Sequence, residues 1–149
     1  MRLKLTARGR YSIVALLDLS ARARDEPTSV NAIARRQQLP APYLEKLLIA
    51  MRQAGLVRSL RGPQGGYQLA RSPDRIYVGE ILAAVGETAA TVSHPDSHAD
   101  GAEDWVAFTL WNRLRHNLEE ALYRISLEDL YHDARSLQAA RGQQASFVV

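Results

Sequence analysis

The segment Leu56-Val57-Arg58-Ser59-Leu60-Arg61-Gly62-Pro63-Gln64-Gly65-Gly66-Tyr67-Gln68-Leu69 constrains the fold of this chain more than any other. It follows directly on an amphipathic helical pattern, Tyr43 to Ala54. An apolar strand, a Gly/Pro-rich tip carrying Arg61 and a second, alternating strand predict a β-hairpin placed immediately after a helix. Glycines allow close backbone approach, and an arginine at the tip offers charge on a flat donor fork. A hairpin of this kind also occurs on enzyme surfaces, so the residues before it decide its meaning.

Those residues read as three short helices. Arg8 to Arg24 is the first, with Ile13, Leu16, Leu17 and Ser20 near one face, Thr6 as N-cap, and Asp25-Glu26-Pro27 ending it. Ser29 caps the second, Val30 to Gln38, whose Ile33 and Ala34 face inward. Leu39-Pro40-Ala41-Pro42 is a tight turn, and Pro42 falls in the first turn of the third helix, where its missing N–H costs nothing. Tyr43, Leu44, Leu47, Leu48 and Met51 make the apolar side of that helix, and Gly55 suits its left-handed C′ position. Three helices with a tight turn before the third, followed by a hairpin wing, define a winged helix-turn-helix.

Charge is segregated in the same way. Residues 1–80 carry 14 Lys/Arg against 6 Asp/Glu, a balance of +8, whereas residues 81–149 carry 5 against 10, a balance of −5. A basic half beside an acidic half fits a nucleic-acid footprint on one part and a different task for the other. In a winged helix-turn-helix the third helix enters the major groove of double-stranded DNA. That places Tyr43 at its tip, Glu45 one turn in, and Lys46 and Arg52 at the flank. A carboxylate facing DNA is costly near phosphates unless it accepts from a cytosine amino group, so Glu45 is a specificity candidate. Arg8, Arg10, Arg35, Arg36, Arg58 and Arg61 are candidates for phosphate or minor-groove contact, with Gly65 and Gly66 permitting close approach of the wing.

Beyond the wing, Val78 to Val85 predicts a fourth helix with Ile81, Leu82 and Val85 as its stripe. From Glu87 to Asp104 the pattern dissolves into a loop longer than compact domains usually carry. A long helix from about Asp104 to Arg124 follows, with Ala107, Trp111, Leu114, Leu118, Leu122 and Ile125 at helical spacing. Phe108 and Leu110 widen its apolar surface beyond what one small domain covers. One wing domain reads only a half-site, so this helix is the expected homodimer element, through Trp111, Leu114, Leu118, Leu122 and Ile125. Ser126-Leu127-Glu128-Asp129 reads as a capping box, with Asp129 where Glu or Gln is usual. The expected organisation is a mainly α chain: winged helix-turn-helix domain 1–86, sensor-type loop 87–103, dimerisation helices 104–138 and flexible tail 139–149.

Several classes are set aside. The chain has no cysteine, which removes disulfides, thiolate metal sites and cysteine nucleophiles. No apolar run approaches the roughly 20 residues of a membrane span, and no signal-peptide pattern opens the chain, so a cytoplasmic protein is expected. No Ser/His/Asp constellation or phosphate loop points to an enzyme.

The chain also resembles a known family. Met1-Arg2-Leu3 with Thr6-Ala7-Arg8-Gly9-Arg10-Tyr11, then Pro42-Tyr43-Leu44-Glu45-Lys46-Leu47, Gly55-Leu56-Val57, Arg61-Gly62-Pro63 with Gly65-Gly66-Tyr67, Val78-Gly79-Glu80-Ile81 and Ile125-Ser126-Leu127-Glu128-Asp129-Leu130 are similar to motifs of the Rrf-two family of iron–sulfur-cluster regulators, with its IscR- and NsrR-like members. The resemblance spans about residues 1–137. It implies a homodimeric bacterial transcription factor, often a repressor, binding a near-palindromic operator. It also implies that Tyr43, Glu45 and Arg61 contact DNA. Cluster-binding members carry three cysteines in the loop before the dimer helix. Here that loop has none, and Trp105 and Phe108 stand near the positions of the last cysteine and the histidine ligand. A conventional iron–sulfur cluster is therefore not expected. The alternatives are a regulator without cofactor, a regulator sensing a divalent metal through His94 and His98, and a regulator acting by docking a metabolic enzyme, as one sulfur-metabolism member of the family does.

Overall fold

The computed structural model describes residues 5–22, 25–87 and 101–146. The elements run α1 (Ala7–Ser20), α2 (Val30–Gln37), α3 (Ala41–Gln53), β1 (Val57–Leu60), β2 (Gly66–Leu69), a 3-10 turn (Pro73–Arg75), α4 (Val78–Ala84), α5 (Ala102–Leu122) and α6 (Leu127–Ser146). Local chemistry sets most of the boundaries. The Thr6 hydroxyl accepts from the Gly9 amide at 3.4 Å and Ser29 from Ala32 at 3.1 Å, so the first two helices start on the expected caps. Gly55 has φ +77° just past α3, and the Leu56 amide returns to the Met51 carbonyl at 3.0 Å, a glycine-closed helix end. α1 is shorter than expected: Ser20 turns its hydroxyl onto the Leu17 carbonyl at 2.8 Å and the helix ends there.

β1 and β2 pair antiparallel, with Val57 opposite Leu69 and Leu60 opposite Gly66. Thr28 adds a third edge: its amide donates to the Tyr67 carbonyl at 2.8 Å, and the Tyr67 amide to the Thr28 carbonyl at 2.7 Å. The wing is thereby bolted to the segment between α1 and α2.

The core lies among α1, α2, α3, the hairpin and α4, through Leu16, Ile33, Leu44, Leu48, Met51, Leu56, Ile76 and Ile81. Leu127, at the start of α6, is buried in the same core. A second bridge holds it there, the Val78 amide donating to the Ile125 carbonyl at 2.9 Å and the Leu127 amide to the Ile76 carbonyl at 2.7 Å. The capping box forms as read: the Ser126 hydroxyl accepts from the Asp129 amide at 3.1 Å, and the Asp129 carboxylate from the Ser126 amide at 3.0 Å. The bond from the Ser126 amide, with the nearby Ser126 hydroxyl, holds the Asp129 carboxyl below its ordinary pKa, and the charge of His132 adds a smaller push.

The expected flexible tail from residue 139 requires correction, because α6 continues unbroken to Ser146. Residues 138–146 are rich in Ala and Gln, which favour helix without an apolar stripe. α5 is the other departure from a packed domain: none of its 21 residues is buried.

Candidate nucleic-acid interface

α3 presents two faces. Leu44, Leu47, Leu48 and Met51 are buried, and Pro42, Tyr43, Glu45, Lys46 and Arg52 are exposed on the other side. Pro42 lies in the first turn as expected, behind an N-cap, Pro40, that makes no side-chain capping bond. The exposed group contains the four side chains that the sequence assigns to the major groove: Tyr43, Glu45, Lys46 and Arg52.

Neighbouring elements extend this face. The Tyr43 ring meets the Tyr11 ring of α1 edge-on, with centroids 5.9 Å apart, and the Arg10 guanidinium lies 4.9 Å from the Tyr11 ring centroid. Tyr11 thus joins Arg10 of one helix to Tyr43 of another. Sequence reasoning placed Arg10 and Tyr43 in the site and missed the residue that connects them. Its signal was its place beside Arg10, one turn past the Thr6 cap. On the far side, Arg52 donates to the Ser59 hydroxyl of β1 at 3.4 Å, which joins the recognition helix to the wing. Arg58 and Arg61 are exposed on that wing, and Arg8 and Arg35 are exposed on α1 and α2.

Arg36 has a different partner. Its guanidinium binds Asp18 of α1 bidentately, at 3.0 and 2.6 Å, and the Gln37 amide donates to the same carboxylate at 2.8 Å. The Asp18 side chain is 1% exposed. Burial is the largest single influence on Asp18 and favours the neutral acid. The hydrogen bonds from Arg36 and Gln37, with the charges of Arg36 and Arg22, together overcome it and hold the carboxyl below its ordinary pKa. Arg36 is a strut between α1 and α2, a role that its reading as a phosphate candidate did not include.

Gly65 and Gly66 also have reasons inside the protein. A Cβ on Gly65 would strike the Leu60 carbonyl oxygen, and one on Gly66 would strike the Thr28 backbone. Their smallness closes the wing turn and seats it against Thr28, a requirement inside the protein that stands beside their reading as points of close approach to DNA. Gly62, at φ +113° with open space around it, is the glycine at the tip.

The expected dimer residues divide. Trp111, Leu118 and Leu122 are half-buried against their own chain, and Leu114 and Ile125 are exposed. Trp105, Val106 and Leu110, absent from the expected set, are 68%, 66% and 51% exposed. His94 and His98 lie outside the described residues. Among the described residues, no group of three His, Asp or Glu side chains is placed to hold a metal ion, and no helix is long and apolar enough to cross a membrane.

Three helices, a wing joined to the third of them, and a tyrosine–arginine cluster at the helix entrance define a winged helix-turn-helix, the fold of DNA-binding transcriptional regulators. The family described as "Rrf2: Iron-dependent Transcriptional regulator" matches residues 5–133, and the chain belongs to it. It is 50% identical over 147 residues to the HTH-type transcriptional regulator slr0846 of Synechocystis sp., covering 99% of this chain and 100% of that protein. It is 39% identical over 142 residues to the regulator IscR of Aliivibrio salmonicida, covering 95% of this chain and 84% of that protein. Among solved structures it is similar to T. potens IscR (TM-score 0.73, 38% identity, 91% of each chain covered). It is also similar to CymR, the global cysteine regulator of B. subtilis (TM-score 0.74, 34% identity, 88% of this chain and 98% of that one).

The family description implies iron, and the donor set of this chain does not fit an iron–sulfur cluster. Such clusters are held by thiolates, and the chain has no cysteine.

Proposed function

We propose that the chain acts as a homodimer on a near-palindromic operator in the cytoplasm, as a repressor that holds no conventional iron–sulfur cluster and catalyses no reaction. The contiguity of Arg10, Tyr11, Tyr43 and Glu45 with Arg52 and the wing carries the DNA half of this reading. α5 supports the dimer half: a 21-residue helix with no buried residue leaves Leu110 and Leu114 in water unless a second copy covers them. Two recognition helices related by a two-fold axis then meet two half-sites about one helical turn apart.

The roles follow from chemistry. Arginines on α1, α2 and the wing set register on phosphates and supply the salt-sensitive part of affinity. Glu45, which makes no ion pair among the described residues, is free to accept from a cytosine N4 amino group. A mobility shift on DNA upstream of the protein's own gene tests the reading, with Glu45→Ala alongside. Glu45→Ala should alter which half-site bases are preferred more than it alters overall affinity. An equal loss on every sequence would remove the specificity role. The same assay with a chelator should leave binding unchanged; binding that vanishes and returns with one divalent metal would overturn the cofactor-free reading.

A further inference from the structure

The exposed side of α3 opens on a residue that the charge-based account of DNA contact leaves aside. Pro42 is exposed in the first turn of the helix, and Glu45 and Lys46 follow it at i+3 and i+4, on the same face. Its ring has no donor, no acceptor and no charge. Pro42 is exposed, whereas Ala41 beside it is partly buried against the core cluster. Tyr43, next to it at the helix tip, packs its ring edge-on against Tyr11. The leading edge of the recognition helix therefore presents a rigid apolar surface one turn ahead of a carboxylate.

In the major groove one base edge offers an apolar group, the C5 methyl of thymine. Proline suits that contact because its ring is already fixed and no buried N–H is left unpaired against the base. Pro42 and Glu45 are separated by about 4.5 Å along the helix axis, close to the roughly 3.4 Å rise per base pair. The two side chains can therefore address neighbouring pairs. We propose that Pro42 is a specificity residue that reads a thymine methyl next to the cytosine read by Glu45, so that each half-site contains a thymine–cytosine neighbour pair. This rests on the reading of α3 as the major-groove helix, and the experiment separates failure of the two.

The full chain is used to select duplexes from a randomised library. Each thymine of the selected half-site is then replaced singly by deoxyuridine, which removes only the methyl. Affinities of the full chain and of Pro42→Ala and Pro42→Ser are measured by fluorescence anisotropy. One thymine per half-site should lose about fourfold in affinity on conversion to deoxyuridine, the effect of one methyl-sized group withdrawn from contact. Pro42→Ala should bind the thymine and deoxyuridine duplexes equally, and Pro42→Ser should do the same while still folding into the helix start. No deoxyuridine effect in the full chain, or an effect that survives in both variants, overturns the proposal. Repeating the selection with Pro42→Ala and Glu45→Ala tests the underlying reading: if both recover the full chain's motif unchanged, neither side chain reads a base, and the specificity reading of Glu45 falls together with the proposal. If only Glu45→Ala shifts the motif, α3 reads bases without Pro42, and the proposal alone fails.

Discussion

The chain handles apolar residues in two opposite ways. From α1 to α4 they are turned inward: Leu16, Ile33, Leu44, Leu48, Met51 and Ile81 are fully buried in one core. In α5 none is buried, and Leu110 and Leu114 face solvent at 51% and 43%. The first region, closed by Leu127 from the start of α6, forms one packed core with its polar side free for DNA. The second is a helix whose stripe is only partly covered, by contacts of its own chain at Trp111, Leu118 and Leu122. A stripe wider than its own domain can cover marks where a partner is needed. The two tasks are thus separated along the chain, as the charge balance is.

The largest effect expected from breaking this contrast is on α5. Leu110→Glu with Leu114→Glu should raise the dimer dissociation constant by roughly 100-fold or more. Each buried leucine is worth about 1.5–3 kcal/mol, and a two-fold interface loses it twice. Light scattering would then report monomers, and a persistent dimer would place the interface elsewhere. The matched change in the other region is Leu48→Ala, which should cost about 2–5 kcal/mol of stability by urea unfolding because it opens a cavity in a closed core. Leu114→Ala should cost the isolated protomer far less; equal losses would erase the distinction between the regions.

Asp18→Ala should remove about 1–3 kcal/mol by severing the α1–α2 strut. Because the folded carboxyl titrates below its unfolded value, its contribution is present above about pH 4 and is lost as pH falls through the folded pKa. Asp18→Asn should therefore flatten the acid limb of stability against pH, and an unchanged limb would rule out this ion pair as its source. Arg61→Ala should weaken DNA binding and lower the salt slope by about one phosphate equivalent; an unaltered slope would remove Arg61 from the backbone contacts. The smallest effect is at the junction of the two regions, where Ser126→Ala should cost about 0.5–2 kcal/mol through loss of the α6 cap, read by thermal unfolding.

Local chemistry made much of this architecture legible. Thr6, Ser29, Pro42, Gly55 and the Ser126–Asp129 pair each act within a few residues, so sequence alone placed the helix boundaries they control. Contacts between distant elements were not legible. Arg36 looked like a free basic residue because its partner Asp18 lies 18 positions away, and Tyr11 looked peripheral because its ring meets Tyr43 only after α1 and α3 pack. Gly65 and Gly66 were read for what they admit from outside, while the obstacle they avoid is the Leu60 and Thr28 backbone. Periodicity also under-read the end of α6, where strong helix formers sustain the helix without an apolar stripe.

The most direct test of the division between a DNA-reading unit and a partner-seeking helix is sedimentation of the full chain on a duplex carrying two selected half-sites, beside the Leu110→Glu/Leu114→Glu variant. The account predicts two protomers per duplex for the full chain. It predicts loss of that complex in the variant, which should retain only weak, salt-sensitive binding to single half-sites. One protomer per duplex, or a variant that binds as tightly as the full chain, would contradict it.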